Sequence, residues 1–317
     1  MMNILPEHKL LISDVRQNGA GPPLPDTLRI KIVRIRRPVV VSPVVKPHAE
    51  LAGGAVGYMA VPAHLSSERC VHMSTISNSE AIAAWSAMPT DAIEAYDDQG
   101  DFPKRHLMNG NLLRMLGPVD GRKVLDAGSG EGYLSRLLAE GGAEVVGVEP
   151  AAALLARAQK IEQERRQGIS FVQADLSTLP GDVGQPFDAV VCSMVLLAIP
   201  AWQSAMAACV GALKPGGRFV FSITHPAFEN LYPTWRDHGH YQLDRYLDEY
   251  EIPEGHAPDF HRPLSAYINE VVGLGCRVTE LCEPRLDPQV ARDSGIEAIE
   301  SYVALPNFLI VSAERDR

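Results

Sequence analysis

Cysteine is scarce in this chain, and the spacing of the few cysteines excludes the common thiol-based structures. The 317 residues include five cysteines, which are scattered and form no C-x-x-C pair. The pattern therefore predicts neither a disulfide framework nor a thiolate zinc site. Reduced thiols in a cytoplasmic protein fit this usage best.

Long apolar runs and an excess of basic residues are also missing. No run approaches the roughly 18 apolar residues that a membrane span needs, and the first residues lack the basic and apolar regions of a signal peptide. The 29 Lys and Arg are outnumbered by 39 Asp and Glu, for a formal charge of -10, which disfavours binding to phosphate backbones. We expect a cytoplasmic protein that works neither on a membrane nor on nucleic acid.

The first part of the chain differs in composition from the rest. Prolines recur at short intervals over residues 1–72, and no helical period is sustained there. Residues 1–60 contain eight basic and four acidic residues, a local net charge of +4 against the acidic whole. This composition predicts a flexible extension, with a separate functional domain as the less favoured alternative. The folded domain is predicted over residues 73–317.

Helical and strand periods alternate in the folded part. A helix is predicted near Ser79, with Ile82, Trp85 and Met88 on one face. Seven strands are predicted at residues 123–127, 144–149, 170–175, 187–194, 218–224, 277–282 and 307–313. Helical segments separate the first five strands, as they do in parallel sheets, so the pattern predicts an α/β fold with helices on both faces of the sheet.

A glycine-rich loop follows the first predicted strand and precedes a helix. It lies in the run Val124-Leu125-Asp126-Ala127-Gly128-Ser129-Gly130-Glu131-Gly132. Glycines at such a turn let a nucleotide-like ligand approach the backbone. A tight strand-to-helix turn without a ligand is the alternative for the loop taken alone.

Two acids follow the next two strands. Glu149 ends the second strand, where a carboxylate can accept the hydroxyls of a ribose, and Asp175 ends the third, where it can meet an adenine amino group. Either acid could instead cap a local helix or turn. Asp126 lies near the end of the first strand. Carboxylates at the ends of three consecutive strands together favour a cofactor site.

With these motifs, residues 79–314 resemble the class I S-adenosylmethionine-dependent methyltransferases of the small-molecule branch. The resemblance covers about three quarters of the chain. It rests on the glycine run above and on four further motifs: Val148-Glu149-Pro150, Gln173-Ala174-Asp175-Leu176, Phe187-Asp188-Ala189-Val190 and Leu213-Lys214-Pro215-Gly216-Gly217.

The resemblance implies a fold, a cofactor and a set of binding residues. It implies a doubly wound, Rossmann-like sheet of seven strands in the order 3-2-1-4-5-7-6, the last antiparallel, with S-adenosyl-L-methionine at the carboxyl ends of the strands. The cofactor-binding residues implied are Asp126, Gly128, Ser129, Gly130, Gly132, Glu149, Pro150, Asp175, Leu176, Ser193 and Met194. The implied enzyme moves a methyl group to an O, N or C acceptor of a small molecule.

Two further candidates for the cofactor lie before the first strand. Tyr96 occupies the segment that in similar enzymes closes over the cofactor. Arg105, next to Lys104, could meet the methionine carboxylate. A solvated basic pair is the alternative for these two cations.

The connection over residues 225–262 is longer than a turn needs and predicts a substrate cover. His225, directly after the fifth strand, is the candidate general base, and a packing or capping histidine is the alternative. The candidate substrate residues are Tyr232, Trp235, His238, His240 and Tyr241. His238 and His240 could instead be a metal pair, but no third ligand is evident, so no metal is predicted.

Two other functions remain as alternatives. A nicotinamide-dependent oxidoreductase shares the glycine turn and the acid after the second strand, but its loop reads Gly-x-Gly-x-x-Gly, and the last glycine here comes one residue early. A methyltransferase-like binding subunit without activity would be expected to have a degenerate loop, whereas this one is intact. The sequence leaves open whether the chain forms a homo-oligomer.

Overall fold

The computed structural model describes residues 76–94, 97–180, 183–184, 186–229, 231–243, 245–252 and 257–317. All of them fall within one compact unit, Ser66–Arg317. The predicted extension over residues 1–72 lies outside the described residues. None of the helices in the described ranges has both the length and the apolarity that a membrane span requires.

A seven-stranded sheet forms the centre of this unit, accompanied by a separate two-stranded hairpin. The strands are β1 (Lys123–Ala127), β2 (Glu144–Val148), β3 (Ser170–Val172), β4 (Phe187–Ser193), β5 (Leu213–Thr224), β6 (Tyr250–Ile252), β7 (Asp259–His261), β8 (Cys276–Cys282) and β9 (Phe308–Arg315). The large sheet has the order β3-β2-β1-β4-β5-β9-β8, and the hairpin pairs β6 with β7. β1 to β5 are parallel, while β9 is antiparallel to both neighbours. The predicted fold class and strand order are confirmed.

Helices cover both faces of the sheet. They are α1 (Asn78–Ser86), α2 (Thr90–Glu94), α3 (Asn109–Leu116), α4 (Tyr133–Glu140), α5 (Ala152–Arg165), α6 (Trp202–Gly211), α7 (Leu231–His238), α8 (Leu264–Gly273), α9 (Pro288–Ser294) and α10 (Ser301–Ala304). A π-helical turn, Lys104–Met108, leads directly into α3.

The central strands are buried on both faces because successive side chains point to opposite sides of the sheet. Leu125 and Phe221 belong to one hydrophobic cluster, which includes residues of α6 and α8. Val124 and Val220 belong to a second cluster on the other face, which includes residues of α3 and α4. The two clusters explain why these strands read as nearly continuous apolar runs in the sequence.

The start of α1 differs slightly from the sequence prediction. The helix is capped by Ser77 rather than near Ser79: the Glu80 amide donates to Ser77 Oγ, and the Ser77 amide donates to the Glu80 carboxylate at 2.6 Å. This reciprocal capping box satisfies two amides that a helix start otherwise leaves unpaired. It fixes the side chain of the next residue, Asn78, at the beginning of the helix.

The predicted cover has more regular structure than its sequence indicates. It contains α7 and the β6–β7 hairpin, and neither has a clear helical or strand period. Arg262, just after β7, is 4% exposed and donates to the carbonyl oxygens of Leu196 and Ile199, both at 2.9 Å. The cover is therefore attached to the loop that follows β4.

Candidate functional site

A cavity opens at the carboxyl ends of β1 to β4. Parallel strands place the loops that follow them at one edge of the sheet, and in a doubly wound fold ligands bind at that edge. The implied cofactor residues on the cavity wall are Gly128, Ser129, Gly130, Glu149, Pro150, Asp175, Leu176, Ser193 and Met194. Residues that are far apart in the sequence thus meet around one space.

The glycine loop is folded against the end of β2. The amides of Gly128 and Ser129 both donate to the Val148 carbonyl oxygen, at 2.8 and 2.9 Å. Gly128 and Gly130 have φ angles of 77° and 57°, in the region that favours glycine. A Cβ at Gly130 would meet no protein atom within 4 Å, so this part of the loop borders open space that a ligand can fill.

Two of the implied residues support the loop from behind the wall. Asp126 is buried, and Ser135 Oγ donates to its carboxylate at 2.6 Å. Burial raises the pKa of Asp126 to about 6, although the bond from Ser135 opposes this shift. Gly132, in a left-handed conformation, is the N-cap of α4. Both residues fix the loop rather than line the cavity.

Glu149 is the carboxylate that the loop surrounds. It is 6% exposed and accepts from the Gly130 amide at 2.9 Å and the Ala151 amide at 2.8 Å. Burial raises the pKa of Glu149 to about 7, and the two backbone bonds limit the rise. A ligand that donates hydrogen bonds to this carboxylate would stabilise its charged form.

Asp175 also lines the cavity and accepts hydrogen bonds from two donors. The Ser177 amide donates to Oδ1 at 2.8 Å, and the side-chain amide of Asn78 donates to Oδ2 at 2.7 Å. The bond from Ser177 is the turn cap that the sequence left as an alternative. Asp175 therefore caps this turn and also lines the cavity.

Two residues of the cavity wall, Ser129 and Tyr133, carry buried hydroxyl groups, and Ser129 Oγ has no hydrogen-bond partner among the described residues. Buried polar groups are nearly always paired in folded proteins. An unpaired hydroxyl on a residue of the wall therefore fits a polar ligand at this loop. Tyr133 was not a sequence candidate, although it directly follows the glycine loop.

The loop after β4 has a strained backbone beside the cavity. Met194 has a positive φ of 59°, which is uncommon for a residue other than glycine. Its amide donates to the Ser222 carbonyl oxygen at 2.9 Å, and the hydroxyls of Ser193 and Ser222 are 3.0 Å apart. These bonds from β5 hold Met194 and Ser193 at the wall. Such strain is typical of functional sites.

His225 does not have the geometry of a general base. It is buried off the cavity wall, its Nδ1 accepts from the Ala227 amide at 3.1 Å, and its Nε2 lies 2.9 Å from the Glu283 carboxylate. Because Nδ1 accepts, the proton of the neutral ring is on Nε2 and points to Glu283. Burial lowers the pKa of His225, with the bond to Glu283 opposing. Both nitrogens are engaged, so the capping alternative fits better.

The candidate substrate residues of the cover also lie off the cavity wall wherever their side chains are described. Trp235 and Tyr241 are half-buried against the hydrophobic cluster that Met194 also contacts. His238 and His240 are exposed, and no group of three or more potential metal ligands occurs in the described ranges. Tyr232 lies in α7, and its side chain is outside the described part. Their contact with a substrate stays a prediction.

Of the two adjacent cations that precede β1, Lys104 lines the cavity and Arg105 does not. Tyr96 lies outside the described residues. Arg105 is off the cavity wall, and its guanidinium pairs with Asp97. Lys104, the adjacent cation, lines the cavity instead, with its ammonium 5.6 Å from the centre of the Tyr133 ring and 2.9 Å from Asp101. Adjacent residues of a helical turn point in different directions, which explains why only one of the two cations faces the site.

Helix α1 lines one side of the cavity, although no sequence motif assigned this helix to the site. The wall residues from this helix and the turn after it are Asn78, Ala81, Ile82, Trp85 and Met88. Their helical spacing was visible in the sequence, but an apolar face is normally packed against the core. Only the docking of α1 beside the start of α5 gives it this position. The remaining unassigned wall residues are Glu131, Leu154, Val195, Ala198 and Ile199.

Part of the chain is similar to known methyltransferases. Residues 125–221 match the sequence model of a methyltransferase domain family. A ubiquinone biosynthesis O-methyltransferase of Idiomarina loihiensis is 35% identical over 147 residues, which are 45% of this chain and 59% of the relative. One of Alkalilimnicola ehrlichii is 32% identical over 169 residues, or 52% of this chain and 64% of the relative. The chain thus spans about six tenths of these curated relatives.

Solved structures agree with the fold. An S-adenosylmethionine-dependent methyltransferase from Mesorhizobium loti superimposes with a TM-score of 0.55 at 28% identity, covering 65% of this chain and 96% of that one. A Listeria monocytogenes protein described as a candidate methyltransferase of the same type has a TM-score of 0.55 at 23% identity, with coverage of 66% and 96%.

Proposed function

We propose that the chain is a class I S-adenosylmethionine-dependent methyltransferase and that it methylates a small molecule with S-adenosylmethionine as donor. One observation carries the proposal. The glycine loop, Glu149 and Asp175, which follow β1, β2 and β3, all line one cavity. A ligand with a ribose, a base and a charged amino-acid end would meet each of them.

The residues present fit this cofactor in three respects. The open space at Gly130 leaves room beside the loop. Ser129 Oγ is a buried hydroxyl without a partner among the described residues, and a polar ligand group would satisfy it. The buried Glu149 carboxylate has a raised pKa, and ribose hydroxyls would supply the hydrogen bonds that its charged form lacks.

The cofactor, when bound, supplies a methyl group on a sulfonium that an acceptor atom can attack. The protein's own contribution is mainly orientation, which can supply about 7–11 kcal/mol of a reaction barrier. Glu149 and Asp175 would fix the two ends of the nucleoside. The apolar side chains of Met194, Val195 and Ile199 would exclude water from the neighbouring wall.

We further propose that the acceptor is an oxygen atom. The support is the name of the two curated relatives, both O-methyltransferases. Their similarity spans only about half of this chain, so the acceptor molecule itself does not follow from them.

Calorimetric titration with S-adenosylhomocysteine tests the cofactor directly. We expect wild-type protein to bind it and Glu149→Ala to bind it about 10- to 150-fold more weakly, the range for losing hydrogen bonds to a charged group worth about 1.5–3 kcal/mol. Glu162→Ala is a matched control, because Glu162 accepts from the Gly168 amide outside the cavity. Absence of binding by wild type would overturn the proposal, and binding of NADH instead would favour the oxidoreductase alternative.

The acceptor is sought with methyl-labelled S-adenosylmethionine and fractionated small-molecule extracts. We expect label in a small organic product whose methyl ether is identified by mass spectrometry. A product methylated on nitrogen or carbon would contradict the oxygen assignment and leave the cofactor assignment intact.

A further inference from the structure

The side chain of Asn78, the first residue of α1, connects three separate parts of the fold. Its amide nitrogen lies 2.7 Å from Asp175 Oδ2 and 3.1 Å from Ser177 Oγ, and its amide oxygen faces the Ala201 amide at 3.4 Å. Because a carboxylate only accepts, the Asn78 nitrogen must be the atom that faces Asp175. Asn78 thus binds Oδ2, the carboxylate oxygen that does not accept from the Ser177 amide.

The remaining hydrogen-bonding capacity of Asp175 decides what it can bind. Each of its two oxygens already accepts one bond, from Ser177 to Oδ1 and from Asn78 to Oδ2. The lone pairs that are left can only accept. Both Asn78 and Asp175 line the cavity, so a carboxylate held in this way presents acceptors, and no donor, to a bound ligand.

We propose that Asn78 is a positioning residue that makes the cavity selective for a 6-amino purine over a 6-oxo purine. The inference rests on the proposed function, in which Asp175 meets the adenine end of the cofactor. A 6-amino group donates to the fixed carboxylate. A 6-oxo group would set its own lone pairs against those of Asp175, and desolvated groups without partners are penalised strongly.

The position of Asn78 makes this role independent of the family match. It lies 97 residues before Asp175 and outside residues 125–221. The Ser77–Glu80 capping box holds the first turn of α1, which keeps the Asn78 amide in place. Selectivity for the base is therefore assigned to α1 as well as to the turn after β3 that Asp175 caps.

The test compares S-adenosylhomocysteine with S-inosylhomocysteine, which has a 6-oxo group in place of the 6-amino group and a proton on N1, by calorimetry on the full chain. We expect wild type to prefer the adenosyl ligand by about 10- to 150-fold, the range for one hydrogen bond to a charged group. Asn78→Ala should weaken the adenosyl ligand by roughly 10-fold and leave the inosyl ligand within about 2-fold, because the freed carboxylate can turn away. The preference should therefore fall by at least about 5-fold.

A double variant separates positioning from folding. Asn78→Asp combined with Asp175→Asn keeps one amide-to-carboxylate bond but turns a donor of residue 175 toward the ligand. We expect this variant to melt near the wild-type temperature and to prefer the inosyl ligand. Asn111→Ala is the matched control, since the Asn111 amide donates to the Leu107 carbonyl oxygen at 2.9 Å off the cavity wall. It should leave the preference unchanged.

Three results with the variants would overturn the inference. They are an equal loss of both ligands in Asn78→Ala, no loss of either, and an unchanged preference in the double variant. If wild type binds both ligands equally, base selectivity fails while the proposed function stands. If wild type binds neither, the proposed function fails and this inference fails with it.

Discussion

Glu149 should make cofactor binding depend on pH near neutrality. Its carboxylate is buried, and its pKa in the unliganded protein is about 7. Ribose hydroxyls bind the charged form, so binding must first remove a proton from the protonated fraction. Roughly 90% of Glu149 is charged at pH 8 and roughly 10% at pH 6. The affinity for S-adenosylhomocysteine should therefore be roughly tenfold lower at pH 6 than at pH 8.

The effect on stability has the opposite direction. A carboxyl whose pKa is raised on folding, here from 4.5 to about 7, binds its proton more tightly in the folded state. Its contribution is fully present below pH 4.5 and is lost as the pH rises through about 7, a change on the order of 3 kcal/mol. The unliganded protein loses this stability at alkaline pH, where the ligand binds best. The rise in melting temperature caused by ligand should be larger at pH 8 than at pH 6.

Calorimetry from pH 5.5 to 8.5 in buffers of different ionisation enthalpy measures both the affinity and the number of protons released. Glu149→Gln is the control, because it keeps the shape and removes the titration. Asp126, with a pKa of about 6, remains in both proteins, so the difference between the two profiles belongs to Glu149. Equal pH profiles for the variant and wild type would refute the assignment of the raised pKa to Glu149 or its contact with the ligand.

Three further predictions concern the glycine loop, His225 and the attachment of the cover. Gly130→Ala should cost about 1–2 kcal/mol of stability because Gly130 has a positive φ. Calorimetry should show at least about tenfold weaker binding of S-adenosylhomocysteine, since the new methyl group enters open space beside the loop. Unchanged affinity would mean that the ligand lies elsewhere. His225→Ala should lower the melting temperature and leave cofactor affinity within about 2-fold, because both ring nitrogens form hydrogen bonds within the fold. A loss of methyl transfer of about 10²-fold or more that shrinks at alkaline pH would instead support His225 as the base. Arg262→Ala should cost about 1–3 kcal/mol in denaturant unfolding by leaving the Leu196 and Ile199 carbonyl oxygens unpaired; stability equal to wild type would show that water replaces the guanidinium.

The sequence by itself determined the sheet and the part of the site that the turns after β1, β2 and β3 form. The glycine loop, Glu149 and Asp175 are recognisable because each follows a strand at a short, fixed spacing, and the chain geometry of a strand-to-helix turn is local. Parallel strands then bring these turns to one edge whatever the rest of the chain does. The predicted strands and their order were confirmed for this reason.

Only the tertiary structure decided how the segments outside the turns after β1, β2 and β3 contribute to the site. Asn78 reaches Asp175 across 97 residues, and nothing in the local pattern of α1 distinguishes an apolar face that packs on the core from one that borders a cavity. Lys104 and Arg105 are equivalent in sequence, and the helical turn that contains them exposes only one to the cavity. His225 sits where a base could be expected, but its two nitrogens are engaged by the Ala227 amide and by Glu283, 58 residues further along. Contacts between distant residues depend on how the helices dock, which is set by the packing of the whole core and not by any one motif.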